Sequence, residues 1–118
     1  MTLSSLELEL DIIREIALKL RADIFGGLVQ YEYSQCFPEG GCGPASDKLK
    51  LRLIGVGYEG VKYVYGWRGD SSHGWLEYKG FIIDITADQF PEFKKESVLI
   101  IKKEKSSLHK EFKPELGI

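Results

Sequence analysis

Cys42, His73 and Asp84 have the residue types, in chain order, of a nucleophile, a base and an orienting carboxylate. A thiol attacks a carbonyl as its thiolate, a neighbouring imidazole takes the proton, and a carboxylate behind the ring fixes its tautomer. Cys42 lies in the loop Gln35-Cys36-Phe37-Pro38-Glu39-Gly40-Gly41-Cys42-Gly43-Pro44-Ala45-Ser46. The flanking glycines clear space around the sulfur. A helix expected from Ala45 turns its positive end toward it, a setting that favours the thiolate and offers N–H groups to an oxyanion. Pro44 fits only the first turn of such a helix, so Cys42 is expected just ahead of it.

The other two residues are related by a hairpin. Two alternating runs, His73 to Tyr78 and Phe81 to Thr86, flank Lys79-Gly80. With a two-residue turn there, Tyr78 faces Phe81, Leu76 faces Ile83, Trp75 faces Asp84 and His73 faces Thr86. One side of the hairpin then carries Gly74, Leu76, Tyr78, Phe81, Ile83 and Ile85 and is the core side. The other carries His73, Trp75, Glu77, Ile82, Asp84 and Thr86. His73 and Asp84 become diagonal neighbours, with Cβ atoms roughly 7–8 Å apart or less, within reach of an imidazole–carboxylate hydrogen bond. An aspartate inside Phe81-Ile82-Ile83-Asp84-Ile85-Thr86 is costly to bury without partners, which strengthens the pairing.

Other chemistries weigh less. Cys36, Cys42, His73 and His109 are four potential zinc ligands, but their spacing matches no paired-ligand pattern, so neither a metal nor another cofactor is expected. A Cys36–Cys42 bridge would close only a short loop. Cys36, beside Phe37, reads as a small buried apolar residue. Tyr65, Trp67 and Trp75 could line a substrate entrance, although aromatic residues at strand spacing more often serve a core.

The elements that must hold these groups follow from periodicity. Leu6, Leu10, Ile13, Ala17, Leu20 and Ile24 mark one face of a helix from Leu3 to Phe25, widened by Ile12, Ile16 and Leu28 and stopped at Gly26-Gly27. A second helix runs from Ala45 to Ile54 with Leu49, Leu51, Leu53 and Ile54. Strands follow over Val61 to Trp67, His73 to Tyr78, Phe81 to Thr86 and Ser97 to Ile101, with a turn at Gly69-Asp70-Ser71-Ser72. The expected fold is a single α+β domain spanning residues 1–118, with an antiparallel sheet of three to five strands. Residues 102–118 form a charged tail with a short helix near Leu108 to Phe112.

The chain has 118 residues, a formal net charge of −2 and a pI near 5.7, which fits one hydrophobic core and no broad basic footprint for nucleic acid. Lys102, Lys103, Lys105, Lys110 and Lys113 alternate with Glu104, Glu111 and Glu115 and read as a solvated surface. Glu7, Glu9, Asp11, Arg14 and Glu15 interrupt the first apolar positions, so neither a signal peptide nor a membrane span is expected. The cytoplasm is the default compartment, and secretion as an effector is compatible with the sequence.

Gly41-Cys42-Gly43-Pro44-Ala45-Ser46, and His73-Gly74-Trp75-Leu76-Glu77 followed by Gly80-Phe81-Ile82-Ile83-Asp84-Ile85-Thr86, resemble papain-like and transglutaminase-like cysteine hydrolases, notably small bacterial members and deamidase-type effectors. The resemblance covers about half of the chain, from Phe37 to Phe90. It implies a nucleophile-bearing helix packed on an antiparallel sheet, with Cys42, His73 and Asp84 in the three catalytic roles. It also implies an amide side chain ahead of the cysteine at the oxyanion, for which Gln35 and Gln30 are the candidates. Trp75, two residues after the histidine, belongs to the likeness. A chain of this size has few subsites for an extended peptide, so the expected substrate is a single amide or acyl group on a protein or a small molecule. The alternative is a catalytically inactive scaffold that serves as a protein-binding module.

Overall fold

Ile13, Ala17, Leu20 and Ile24 recur at steps of three and four and are buried along one face of α1, Ser5–Phe25. Each large side chain removed from water there contributes about 1.5–3 kcal/mol. The helix ends where expected: Gly26 N–H donates to the Ala22 carbonyl at 2.9 Å, and Gly27 takes a positive φ of 80°. Ile12 and Leu28, expected to widen the buried stripe, are exposed instead, because the stripe is only as wide as the surface that covers it. The computed structural model describes residues 5–31 and 42–114, apart from the side chains of Cys42, Gly43 and Pro114.

The second helix, α2, spans Cys42–Gly55 and thus begins at the cysteine rather than three residues after it. Pro44 sits in its first turn, where a missing N–H breaks no helical bond. Ala45, Leu49 and Leu53 bury its inner face, while Leu51 and Ile54 point outward.

The strands are β1 (Lys62–Arg68), β2 (Ser71–Tyr78), β3 (Phe81–Asp84), β4 (Leu99–Lys102) and β5 (Lys113–Pro114). They form one antiparallel sheet in the order β4-β3-β2-β1-β5. Only Gly69-Asp70 separates β1 from β2; Ser71 and Ser72, expected in the turn, pair with Arg68 and Trp67. At the β2–β3 turn Lys79 and Gly80 have φ of 49° and 83°, the pair of left-handed positions of a type I′ turn. The register follows from it: Tyr78 opposes Phe81 and Leu76 opposes Ile83.

Alternation along β2 and β3 produces two cores. Leu76, Tyr78, Ile83 and Ile85 join the side chains of α1 and α2 in the larger one. Trp75 and Ile82, on the reverse side, pack with Leu108 and Phe112 and with the partly buried Phe90 and Phe93. The segment read as a charged tail therefore contributes a layer. Lys102 to Lys105 are exposed, but Ser106, Leu108, His109 and Phe112 are buried, with the short helix α3, Ser107–Lys110, between Lys105 and β5.

Candidate functional site

His73 on β2 and Asp84 at the end of β3 lie on one face of the sheet, and both are 0% exposed. His73 Nε2 and Asp84 Oδ2 are 2.5 Å apart, so the ring N–H donates to the carboxylate across the hairpin. Beyond Asp84 the strand bends, because its carboxylate takes over the backbone. Thr86 N–H donates to Oδ1 at 2.9 Å, and the Thr86 hydroxyl donates to the same oxygen at 3.3 Å.

A further histidine completes the cluster. His109, 3% exposed, places Nε2 2.7 Å from Asp84 Oδ2, the oxygen that His73 also uses. The Nδ1 of His109 lies 2.5 Å from Ser106 Oγ, and that oxygen accepts the His109 backbone N–H at 3.3 Å as the N-cap of α3. Ser106, His109 and Asp84 form a hydroxyl–imidazole–carboxylate line. Yet Ser106 is wholly buried and occupied in capping, so it orients the ring.

Asp84 therefore receives four donors, about as many as an ionised carboxylate can accept. Burial raises its pKa, but the hydrogen bonds from His109 and His73, together with their charge interactions, outweigh that and bring it down from 3.8 to about 2. The carboxylate stays charged behind the imidazoles. Gln89 approaches His73 Nδ1 at 3.4 Å, a long contact.

Aromatic rings enclose the cluster. Phe90 meets His73 edge-on at 4.8 Å between centroids, and Trp75 meets His109 edge-on at 4.7 Å. Phe112 lies 5.5 Å from His73. Trp75 is thus a core residue of the reverse face, 3% exposed, rather than part of a substrate entrance. Its indole N–H donates to Glu77 at 3.2 Å.

α2 approaches from the other side of the sheet. Ser46, one turn beyond Cys42, donates its hydroxyl to the carbonyl of Gly74, the neighbour of His73, at 3.4 Å. A Cβ on Gly74 would fall 2.4 Å from the Tyr63 hydroxyl, so the absence of a side chain lets that ring lie across the strand. The Cys42 side chain lies outside the described residues, as do Gln35 and Cys36. Gln30 is exposed after α1, where its amide donates to the Gly27 carbonyl at 3.0 Å.

The metal-ligating atoms of His73, Asp84 and His109 all lie within 4.8 Å of one another, the one such group among the described residues. Bonds of about 2.0–2.2 Å to one tetrahedral ion would hold ligand atoms roughly 3 Å or more apart. The separations of 2.5 and 2.7 Å are hydrogen-bond lengths.

Sequence reasoning misses Ser106 and weighs His109 only as a zinc ligand that the spacing disfavours, because lysines and glutamates surround both. The available signal was a serine three residues before a histidine, an N-cap spacing, with Leu108 and Phe112 one turn apart. No helix among the described residues is long and apolar enough to cross a membrane. Comparison with protein-family models, curated proteins and solved structures finds no match to this chain.

Proposed function

We propose that this protein is a cysteine-dependent hydrolase acting on an amide, with Cys42 as nucleophile, His73 as base and acid, and Asp84 as orienter. The observation that carries the reading is the buried 2.5 Å contact between His73 Nε2 and Asp84 Oδ2. It commits Nε2 to donation and leaves Nδ1 as the atom that exchanges a proton with a thiol. Cys42 is the first residue of α2, a helix packed on the sheet face opposite to His73, and Ser46 in its next turn bonds the Gly74 carbonyl. The reading thus requires the N-terminal end of α2 to meet the His73 ring past the sheet. A nucleophile helix against an antiparallel sheet is also what the papain-like and transglutaminase-like resemblance implies.

In this reading the Cys42 thiolate adds to the amide carbon, and the carbonyl oxygen becomes an oxyanion received by the N–H groups at the start of α2. Pro44 supplies none, so the amide side chain of Gln35 is assigned the remaining donor, since that of Gln30 is engaged at the Gly27 carbonyl. Protonated His73 gives its proton to the leaving nitrogen, the C–N bond breaks, and a thioester remains on Cys42. His73 then takes a proton from water, the hydroxide oxygen bonds the acyl carbon, and the thiolate leaves.

The test is incubation of the reduced protein with glutamine-containing peptides, intact proteins and small amides, followed by ammonia detection and mass spectrometry. Turnover that Cys42→Ala abolishes supports the reading. The complete burial of His73 and Asp84 favours a second reading, a protein-binding module on the same scaffold, in which the cluster serves to hold the sheet together. An unreactive Cys42 with tight capture of a partner protein would establish that one.

A further inference from the structure

We propose that His109 is a positioning residue of the hydrolytic site: with Ser106 behind it, it pins the Asp84 carboxylate by sharing the oxygen that holds His73. The inference rests on the hydrolase reading for its catalytic meaning and on the geometry of the resting protein for its content. Asp84 sits at the last position of β3, where the chain leaves the ladder, and its side chain could otherwise rotate. Two constraints prevent this. Thr86 holds Oδ1 by a backbone N–H and a hydroxyl. His109 holds Oδ2 at 2.7 Å out of α3 rather than the sheet.

The ring of His109 is itself fixed. The ionised Asp84 can only accept, so Nε2 of His109 carries a proton, while Nδ1 is held by Ser106 Oγ 2.5 Å away, an oxygen that also accepts the His109 backbone N–H. Trp75 packs edge-on against that ring, and Leu108 anchors the same short helix in the reverse-face core. The sequence Ser106-Ser107-Leu108-His109 thus delivers one N–H donor to a buried anion.

A carboxylate oxygen that serves two donors gives each a weaker bond than it would give one alone. His109 consequently tempers the hold of Asp84 on His73 while it fixes the direction of that hold. Loss of the donor frees a lone pair of a buried carboxylate in an aromatic enclosure, where no other described side chain replaces it. The carboxylate then closes more tightly on His73 and turns with it.

The experiment is nuclear magnetic resonance of ring-labelled histidine in the full chain, with no substrate present, for the wild type, His109→Leu and His109→Gln. The wild type should show two slowly exchanging, far-downfield ring N–H protons, both on Nε2 and both lost in Asp84→Asn. His109→Leu should lose one and move the His73 proton further downfield. The glutamine amide reaches as far as the imidazole Nε2 and restores an N–H donor, so His109→Gln should leave the His73 proton near its wild-type position. A packing role alone would give no such difference between the two variants. Alkylation of Cys42 should fall about tenfold in His109→Leu and recover in His109→Gln, as expected for a group acting behind a functional one. A folded His109→Leu with an unmoved His73 proton overturns the proposal. If that variant does not fold, the wild type decides, since a single downfield ring proton there overturns it too. Stoichiometric binding of added Zn²⁺ that removes both ring protons would also overturn it in favour of a metal centre. An unreactive Cys42 beside the predicted ring-proton pattern would defeat the hydrolase reading and leave the positioning geometry standing.

Discussion

His73 and Asp84 are joined across the β2–β3 hairpin by a 2.5 Å contact between Nε2 and Oδ2, with both side chains removed from water. The relationship is set by one turn. Lys79 and Gly80 take the left-handed conformations of a two-residue loop, and a shift of one residue in that loop would put one of the two side chains on the opposite face.

Acid should weaken the fold through this carboxylate. The folded-state pKa of Asp84 is depressed from 3.8 to about 2, so the stabilisation is fully present above the unfolded value and is lost as pH falls through about 2. Asp23 is also depressed, by hydrogen bonds to Lys19 and Arg52; the aspartate itself is mostly covered, but Lys19 is exposed, so that pair is partly screened. Unfolding by urea, followed from pH 5 downward, should show less acid sensitivity in Asp84→Asn than in the wild type. Parallel curves would mean that Asp84 is not the titrating group.

The segment after β3 is clamped to α1. Arg21 donates to the Ile85 carbonyl at 2.5 Å and, by both Nη atoms, to the Asp88 carboxylate at 3.2 and 2.8 Å. Arg21→Met should cost roughly 2–4 kcal/mol, because it leaves Asp88 and a buried carbonyl without their donor. Arg21→Lys should recover only part of the loss, since an ammonium cannot span both oxygens. Chemical denaturation checks both, and equal stability of the three proteins would show that the clamp is idle.

Much of this arrangement could be read from residue order. The step pattern of α1, the hairpin register and the shared face of His73 and Asp84 all follow from local periodicity and one turn, and the structure shows them. The second layer could not be read the same way. His109 and Phe112 reach the reverse face in a segment that leads into β5, which pairs with β1, a contact between residues far apart in sequence. The charges of Lys102 to Lys105 are exposed as expected, yet they precede a buried helix. Trp75 illustrates the same gap: its face was legible, but not what would cover that face. The exposure of Ile12, Leu51 and Ile54 shows that apolar spacing marks a stripe without fixing its width.

The reverse-face layer depends on a close approach between backbones. A Cβ at position 66 would lie 2.6 Å from the Lys113 carbonyl oxygen and 3.0 Å from its carbon. Gly66→Ala should therefore push β5 off β1 and cost about 1–3 kcal/mol, since backbone atoms cannot step aside as a side-chain tip can. Limited proteolysis should cut the Lys105 to Lys113 segment faster in this variant. Unchanged cleavage and stability would show that the layer does not rely on β5.

The most direct test is the rate at which Cys42 of the reduced protein is alkylated by iodoacetamide as a function of pH, read cysteine by cysteine by mass spectrometry. Cys42 should react well below the pH range of an ordinary thiol, which titrates near about 8.5, while Cys36 follows the ordinary range. His73→Ala should slow Cys42 near neutrality and move its midpoint upward, and Asp84→Asn should act in the same direction. Equal labelling of both cysteines with an ordinary midpoint, unchanged by His73→Ala, would contradict the assignment of Cys42, His73 and Asp84 as one catalytic unit.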